Sequence, residues 1–307
     1  MSRIFDALQR FENERRANEA ANVPEATTPS ELAAAAFAPA PASEAEVPSI
    51  LAKAEVQHDW VPKTLDVSPV TDRHLVAIDE PYSLGAESFR LLSSRLSQIA
   101  PNGRRRILVT STIANEGKTV ISTNLALTLA KRPGQRALII EGDLRSPQVL
   151  SSLGAHARPG LGEWYKSGGS IQDFIYKTTK GDLYVIPAGM EGGDPIEILQ
   201  SEVFGRVMLS LAQQFDWIVI DSSPLIPVAD ASIWLNHADS ALIVAREDKT
   251  PKHLLTKALK TIDQSKVVGM VLNDVSRNKS SNSKYYGYQY GYGSRHANAQ
   301  KANEVKA

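Results

Sequence analysis

Two kinds of hydrophobic pattern alternate through the middle of the chain. Short, nearly unbroken apolar runs occur at Arg106–Ser111 (RILVTS), Ala137–Glu141 (ALIIE), Leu183–Pro187 (LYVIP), Trp217–Asp221 (WIVID), Ala241–Ala245 (ALIVA) and Val267–Asn273 (VVGMVLN). Runs of this length without polar alternation predict strands covered on both faces, as in parallel sheets. Segments of helical periodicity lie between them. One is Thr119–Lys131; another follows Thr250-Pro251, where Thr250 reads as an N-cap and the proline as the first helical residue. The alternation predicts an α/β fold: a doubly wound, mostly parallel sheet with helices on both faces, in three layers. Ligands in such folds sit at the C-terminal ends of the strands.

The flanks follow other patterns. Residues 1–16 (MSRIFDALQRFENERR) place Ile4, Phe5, Leu8 and Phe11 on one helical face, which predicts an amphipathic helix. Such a helix suits anionic lipid or a protein groove, or stands as a frayed helix with no partner. Residues 17–69 turn to Ala, Pro, Glu and Thr, a composition with too little apolar surface to offset its ordering entropy, so a linker is expected there. The folded part is expected over 70–276. Residues 277–307 are polar except for a crowd of tyrosines in SKYYGYQYGYG.

Composition narrows the function. The 307 residues are 42% hydrophobic, enough for one large α/β domain with extensions. Lys+Arg and Asp+Glu are both 34, and this balance argues against broad nucleic-acid binding. With no cysteine, disulfides and thiolate chemistry are excluded. The six histidines show no metal-ligand spacing. No apolar run reaches the roughly 20 residues that span a bilayer, and the N-terminus has no signal-peptide core, so the expected location is cytoplasmic unless a partner holds the protein at a membrane.

Candidate chemistry gathers at strand ends. Directly after RILVTS comes TIANEGKTV, in which Gly117-Lys118-Thr119 joins a strand to a helix. Backbone amides from Asn115 to Val120, with Glu116 and Gly117 between them, would surround a polyphosphate at the helix N-terminus. Lys118 would reach the β- and γ-phosphates and the Thr119 hydroxyl would bind Mg²⁺. A lone G-K-T is weak, and Thr112 stands where a first glycine is usual. Two further acidic strand ends strengthen it. WIVIDSSP places Asp221 where a Walker B carboxylate holds Mg²⁺, and LIIEGDLRSP places Glu141, Asp143 and Arg145 at another strand end. Carboxylates there are costly unless a cation or hydrogen bonds compensate them.

This combination resembles the bacterial tyrosine kinases of capsule and exopolysaccharide biosynthesis, within the ParA/MinD-like P-loop ATPases. The resemblance covers roughly 70–293 and rests on the EGKT loop, the acidic strand end at 141–143, the D-x-x-P at Asp221 and the tyrosine cluster. It implies a P-loop NTPase that uses ATP and Mg²⁺, with Thr119, Asp143 and Asp221 as metal ligands and Lys118, Glu141, Asp143 and Asp221 as the catalytic set. Glu141 stands where the family has an aspartate. The resemblance makes Tyr285, Tyr286, Tyr288, Tyr290 and Tyr292 the phosphorylation sites, each tail being modified by a neighbouring subunit. It also implies that Asn273 reads adenine, that Glu87 and Arg90 contact a neighbour in a homo-oligomeric ring, and that a membrane-bound chain-length regulator activates the kinase. Bland readings stand beside these: Glu87 and Arg90 as an ordinary i,i+3 ion pair, Asn273 as a loop cap, Arg145 as a salt-bridged residue, and Asp230 as an N-cap or a γ-phosphate sensor. The alternative function is a ParA/MinD-like ATPase switch without kinase activity, although Ile113 and Ala114 occupy the region where those relatives carry a further lysine.

Overall fold

The structure is a computed structural model that describes residues 60–68, 75–99, 106–190 and 194–275. The expected N-terminal helix, most of the linker and the tyrosine cluster lie outside the described residues. Eight strands form one sheet in the order β1-β4-β5-β3-β6-β2-β7-β8. They are β1 (Lys63–Leu65), β2 (Arg106–Ser111), β3 (Ala137–Glu141), β4 (Tyr176–Thr178), β5 (Leu183–Ile186), β6 (Trp217–Asp221), β7 (Ser240–Arg246) and β8 (Val267–Asn273). All neighbouring pairs are parallel except β4 with β5. The doubly wound α/β expectation is borne out.

Two apolar cores explain why the strand sequences are apolar without interruption. Leu108, Leu138, Ile140, Ile218, Ile220 and Ile243 pack on one face of the sheet with Trp164, Phe204 and Trp234. Their sequence neighbours Ile107, Val109, Ile139, Val219 and Val244 pack on the other face with Leu125 and Leu129 of the Lys118–Ala130 helix. Successive side chains alternate between faces, so a strand buried on both must be apolar at every position. Parity then aims the chemistry. Glu141 follows Ala137 and Ile139, and Asp221 follows Trp217 and Val219, so both carboxylates point to the face that carries the Lys118–Ala130 helix.

Three boundaries differ from the sequence reading. The folded part includes Trp60–Ser68 from the segment assigned to the linker. Lys63–Leu65 pairs with β4 there, Trp60 stacks 6.1 Å from Tyr184, and its indole N–H donates to the Gln172 carbonyl at 3.0 Å. Thr250 does not cap the Lys252–Leu259 helix; the N-cap residue is Pro251, without a side-chain cap bond. Likewise Asp230 is the first residue of the Asp230–His237 helix, whose N-cap is Ala229. In both cases the polar side chain has found a tertiary partner.

Candidate functional site

The site forms where β2 ends and the chain turns into the Lys118–Ala130 helix. β2 lies between β6 and β7, and the connections from β2 and from β6 run to opposite sides, which opens a crevice at their C-terminal ends. The turn holds two left-handed residues, Asn115 (φ 64°) and Gly117 (φ 91°). At Gly117 a Cβ would also collide with the Asn273 amide. Glycine is thus required there for conformation and for space. Alternation of left- and right-handed residues turns successive N–H groups inward, the geometry of an anion nest.

Four of the residues expected at the site converge. Lys118 Nζ lies 3.0 Å from Asp143 Oδ2, both largely buried. Thr119 Oγ1 donates to Asp221 Oδ2 at 2.8 Å, and the Ser122 hydroxyl donates to Asp221 Oδ1 at 3.0 Å. Thr119 and Ser122 are three apart, which puts both hydroxyls on one helical face toward β6. Asp221 is completely buried, and burial pushes its pKa up to about 7, against the opposing pull of Lys118 and the two hydroxyls. Ser122 was not foreseen; two hydroxyls at i and i+3 in the first helical turn acquire meaning only when a carboxylate is known to face them.

The remaining candidates are placed by their partners in the structure. Glu141 is register partner to Asp221, but its Oε1 accepts the Val149 amide at 2.6 Å and its Oε2 the Ala188 amide at 3.0 Å. Burial raises its pKa, and the amides of Ala188, Val149 and Leu150 oppose that shift. Glu116 turns inward: Oε2 accepts the amides of Thr112 (2.7 Å) and Ile113 (3.0 Å), and Oε1 accepts the Thr250 hydroxyl. Those two loop amides are therefore satisfied by the protein itself. The Asn273 side-chain amide donates to the Glu116 carbonyl at 3.0 Å, so one of the protons expected to read adenine holds the loop instead. Val120 lies in the first turn of the helix. Asp230 accepts two bonds from Arg145, at 2.7 and 3.2 Å, so the salt-bridged reading of Arg145 is the observed one. Glu87 and Arg90 form an i,i+3 ion pair at 2.7 Å with both side chains substantially exposed. Ser93, three residues further on, is buried and accepts from Arg132.

The donor set fits a magnesium-bound polyphosphate. Thr119, Asp143 and Asp221 offer hard oxygen ligands, and Mg²⁺ is typically held by one or two carboxylates completed by substrate phosphates. Beside them the hydroxyls of Thr112 and Ser223 are buried and, among the described residues, without a hydrogen-bond partner. No cluster of three or more His, Cys, Asp or Glu side chains suited to a metal occurs among the described residues.

Comparisons with known proteins agree with this geometry. Residues 106–271 match the family model described as AAA domain. The chain is 33% identical over 216 residues to the putative tyrosine-protein kinase CapB of Staphylococcus aureus, covering 69% of this chain and 93% of that one. It is 29% identical over 220 residues to the succinoglycan biosynthesis transport protein ExoP of Rhizobium meliloti, covering 70% of this chain but only 28% of that protein. Among solved structures, that of the chimerical protein CapA2B2 superimposes with a TM-score of 0.63 at 25% identity, covering 70% of this chain and 95% of that one.

Proposed function

The chain belongs to the bacterial tyrosine-protein kinase family, and on that premise we propose that it transfers the γ-phosphoryl group of ATP to the tyrosines of its own C-terminal segment. The observation that carries this reading is the convergence of Lys118, Thr119, Asp143 and Asp221, from three separate strand ends, around one left-handed loop. Loop amides and Lys118 bind the phosphates; Thr119, Asp221 and Asp143 hold Mg²⁺, which when bound neutralises charge on the phosphoryl oxygens. In the transfer a tyrosine oxygen bonds to the γ-phosphorus, the bond to the β-phosphate oxygen breaks, ADP leaves and the phenol gives up its proton. A phenol of pKa near 10 is mostly neutral at pH 7, so an acceptor for that proton helps. Glu141 has both oxygens engaged by backbone amides and is a poor choice. Asp143 is the better one: its Oδ1 accepts the Ser146 amide at 3.1 Å and would serve the metal, while its Oδ2, 3.0 Å from Lys118, would be freed for the proton once that ammonium turned to the phosphates.

The acceptors are Tyr285, Tyr286, Tyr288, Tyr290 and Tyr292, presented to a neighbouring subunit in a homo-oligomer. The similarity to a succinoglycan biosynthesis transport protein supports a role in exopolysaccharide polymerisation and export. No helix among the described residues is long and apolar enough to cross a membrane. Recruitment to the inner face of the cell membrane by a membrane-bound chain-length regulator, which also activates the kinase, is part of the proposal.

The test is phosphopeptide mass spectrometry of protein co-expressed with its genomic neighbours, dephosphorylated, then incubated with Mg-ATP. Phosphate is expected on residues 285–292 in the wild type and not in Lys118→Met. Equal labelling of the two would refute the reading.

A further inference from the structure

The phosphate loop is gripped from outside by the ends of β7 and β8, and the contacts run to the root of the tyrosine segment. Arg246, the last residue of β7, donates through Nη1 to the Asn115 carbonyl at 3.3 Å. Its Nε and Nη2 hold Asp274 Oδ2 at 2.9 and 2.7 Å. Asn273, the last residue of β8, donates to the Glu116 carbonyl, and its own carbonyl accepts the Glu247 amide at 3.0 Å. Thr250, in the turn after β7, donates to the Glu116 carboxylate and accepts the Arg246 amide at 2.7 Å. Asp274, with φ 57°, is the second left-handed residue that Arg246 touches, after Asn115. The described chain ends one residue beyond it, at Val275, on the way to Tyr285.

A peptide plane that turns its carbonyl outward turns its N–H inward. Donors that hold the carbonyls of Asn115 and Glu116 therefore fix the inward direction of the amides of Glu116 and Gly117, the ones a phosphate would meet. We propose that Arg246 is a positioning residue that sets the shape of the phosphate loop and couples it to the root of the tyrosine segment, with Thr250 and Asn273 completing the brace. Nucleotide binding then tightens the chain around Asn273–Val275. By thermodynamic reciprocity, a pull on the tail root alters nucleotide affinity by the same factor. The inference rests on the nucleotide-binding part of the proposed function and does not need transfer to tyrosine.

The experiment uses the full chain with Mg-ADP as probe, combining titration calorimetry with amide hydrogen exchange over residues 113–119 and 267–275. In the wild type, Mg-ADP is expected to slow exchange in both segments. In Arg246→Ala the dissociation constant should rise about tenfold, the loss of roughly one charge-assisted hydrogen bond. Protection of 267–275 on binding should disappear, and the KM for ATP should rise with kcat changed less than about threefold. Arg246→Lys keeps the charge beside Asp274 but loses the fork that spans to Asn115, so it should restore the tail root more than the affinity. If Arg246→Ala fails to fold, Asp274→Asn on the exposed side of the pair is expected to lose the tail-root protection alone. Wild-type affinity together with wild-type protection of 267–275 in Arg246→Ala, or unchanged protection in Asp274→Asn, would overturn the coupling. A wild-type chain that binds no Mg-ADP overturns both readings, whereas one that binds but labels no tyrosine overturns only the kinase reading.

Discussion

Glu141 and Asp221 end adjacent strands, pair in register, point to the same face and are both buried, yet their surroundings differ in kind. Glu141 is held by main-chain amides, which are fixed by the fold. Asp221 is held by the hydroxyls of Thr119 and Ser122, which can rotate to give up a lone pair when a cation arrives. Amides that neutralise a carboxylate permanently make a brace that ties β3 to the Val149–Ser152 helix and to the segment after β5. Hydroxyls that neutralise it provisionally make a metal-ready ligand. A carboxylate at the end of a buried strand thus announces compensation, and the type of donor decides whether the result is structural or chemical.

The largest expected effect separates the two by activity. Asp221→Ala or Thr119→Ala should lower the rate of tyrosine phosphorylation by on the order of a hundredfold to a thousandfold, measured under saturating Mg-ATP. Melting temperature should fall far less than in the Glu141 variant. A retained rate would place the metal ligands elsewhere.

Stability gives the converse. Glu141→Ala strands buried amides and should cost about 3 kcal/mol, or roughly 6–12 °C in thermal midpoint by calorimetry. Activity per folded molecule should stay within about tenfold of wild type. An unchanged midpoint with a rate loss as large as that of Asp221→Ala would return Glu141 to the reacting atoms.

A subtler difference appears in pH. The folded pKa of Asp221, about 7, lies above the ordinary aspartate value of 3.8. Between these values the native state holds a proton that the unfolded chain has released. The contribution of Asp221 to nucleotide-free stability is therefore present at low pH and is lost as pH rises toward and through 7. Denaturant midpoints of wild type and Asp221→Asn should diverge over that interval, the wild type falling more steeply. Parallel curves would show that Asp221 is not protonated in the free protein.

The smallest effect belongs to an exposed carboxylate. Glu87→Ala should change stability by less than about 0.5 kcal/mol, as expected for a solvated i,i+3 pair. Its oligomer mass, by light scattering, is the sharper readout. A loss of assembly at unchanged stability is expected if the pair contacts a neighbour; unchanged mass would confine it to its own helix.

Much of this was legible in the sequence for a physical reason. Strands β2, β3, β5, β6 and β7 are apolar at nearly every position because both faces are covered, while β8, at the sheet edge, is apolar but only partly buried; the EGKT loop follows β2. β1 and β4 were not legible: each is three residues long at the margin of the sheet, and KTL and YKT carry no period. Thr250 and Asp230 look like helix caps in sequence because hydroxyls and carboxylates satisfy helix N-termini well. Their actual partners, Glu116 and Arg145, lie 134 and 85 residues away, a separation that local pattern cannot see. Convergence of Lys118, Thr119, Asp143 and Asp221 was foreseen because their motifs follow the C-terminal ends of strands that read as apolar runs. The second layer around them, Ser122, Glu116, Thr250 and Arg246, depends on how the loops fold over the strand ends.

The most direct measurement follows γ-labelled ATP through the co-expressed, dephosphorylated full chain and asks where the label goes. The account predicts label covalently bound within residues 285–292, accumulating with ADP. Label released only as inorganic phosphate, with those tyrosines unmodified, would contradict it and leave an ATPase switch in its place.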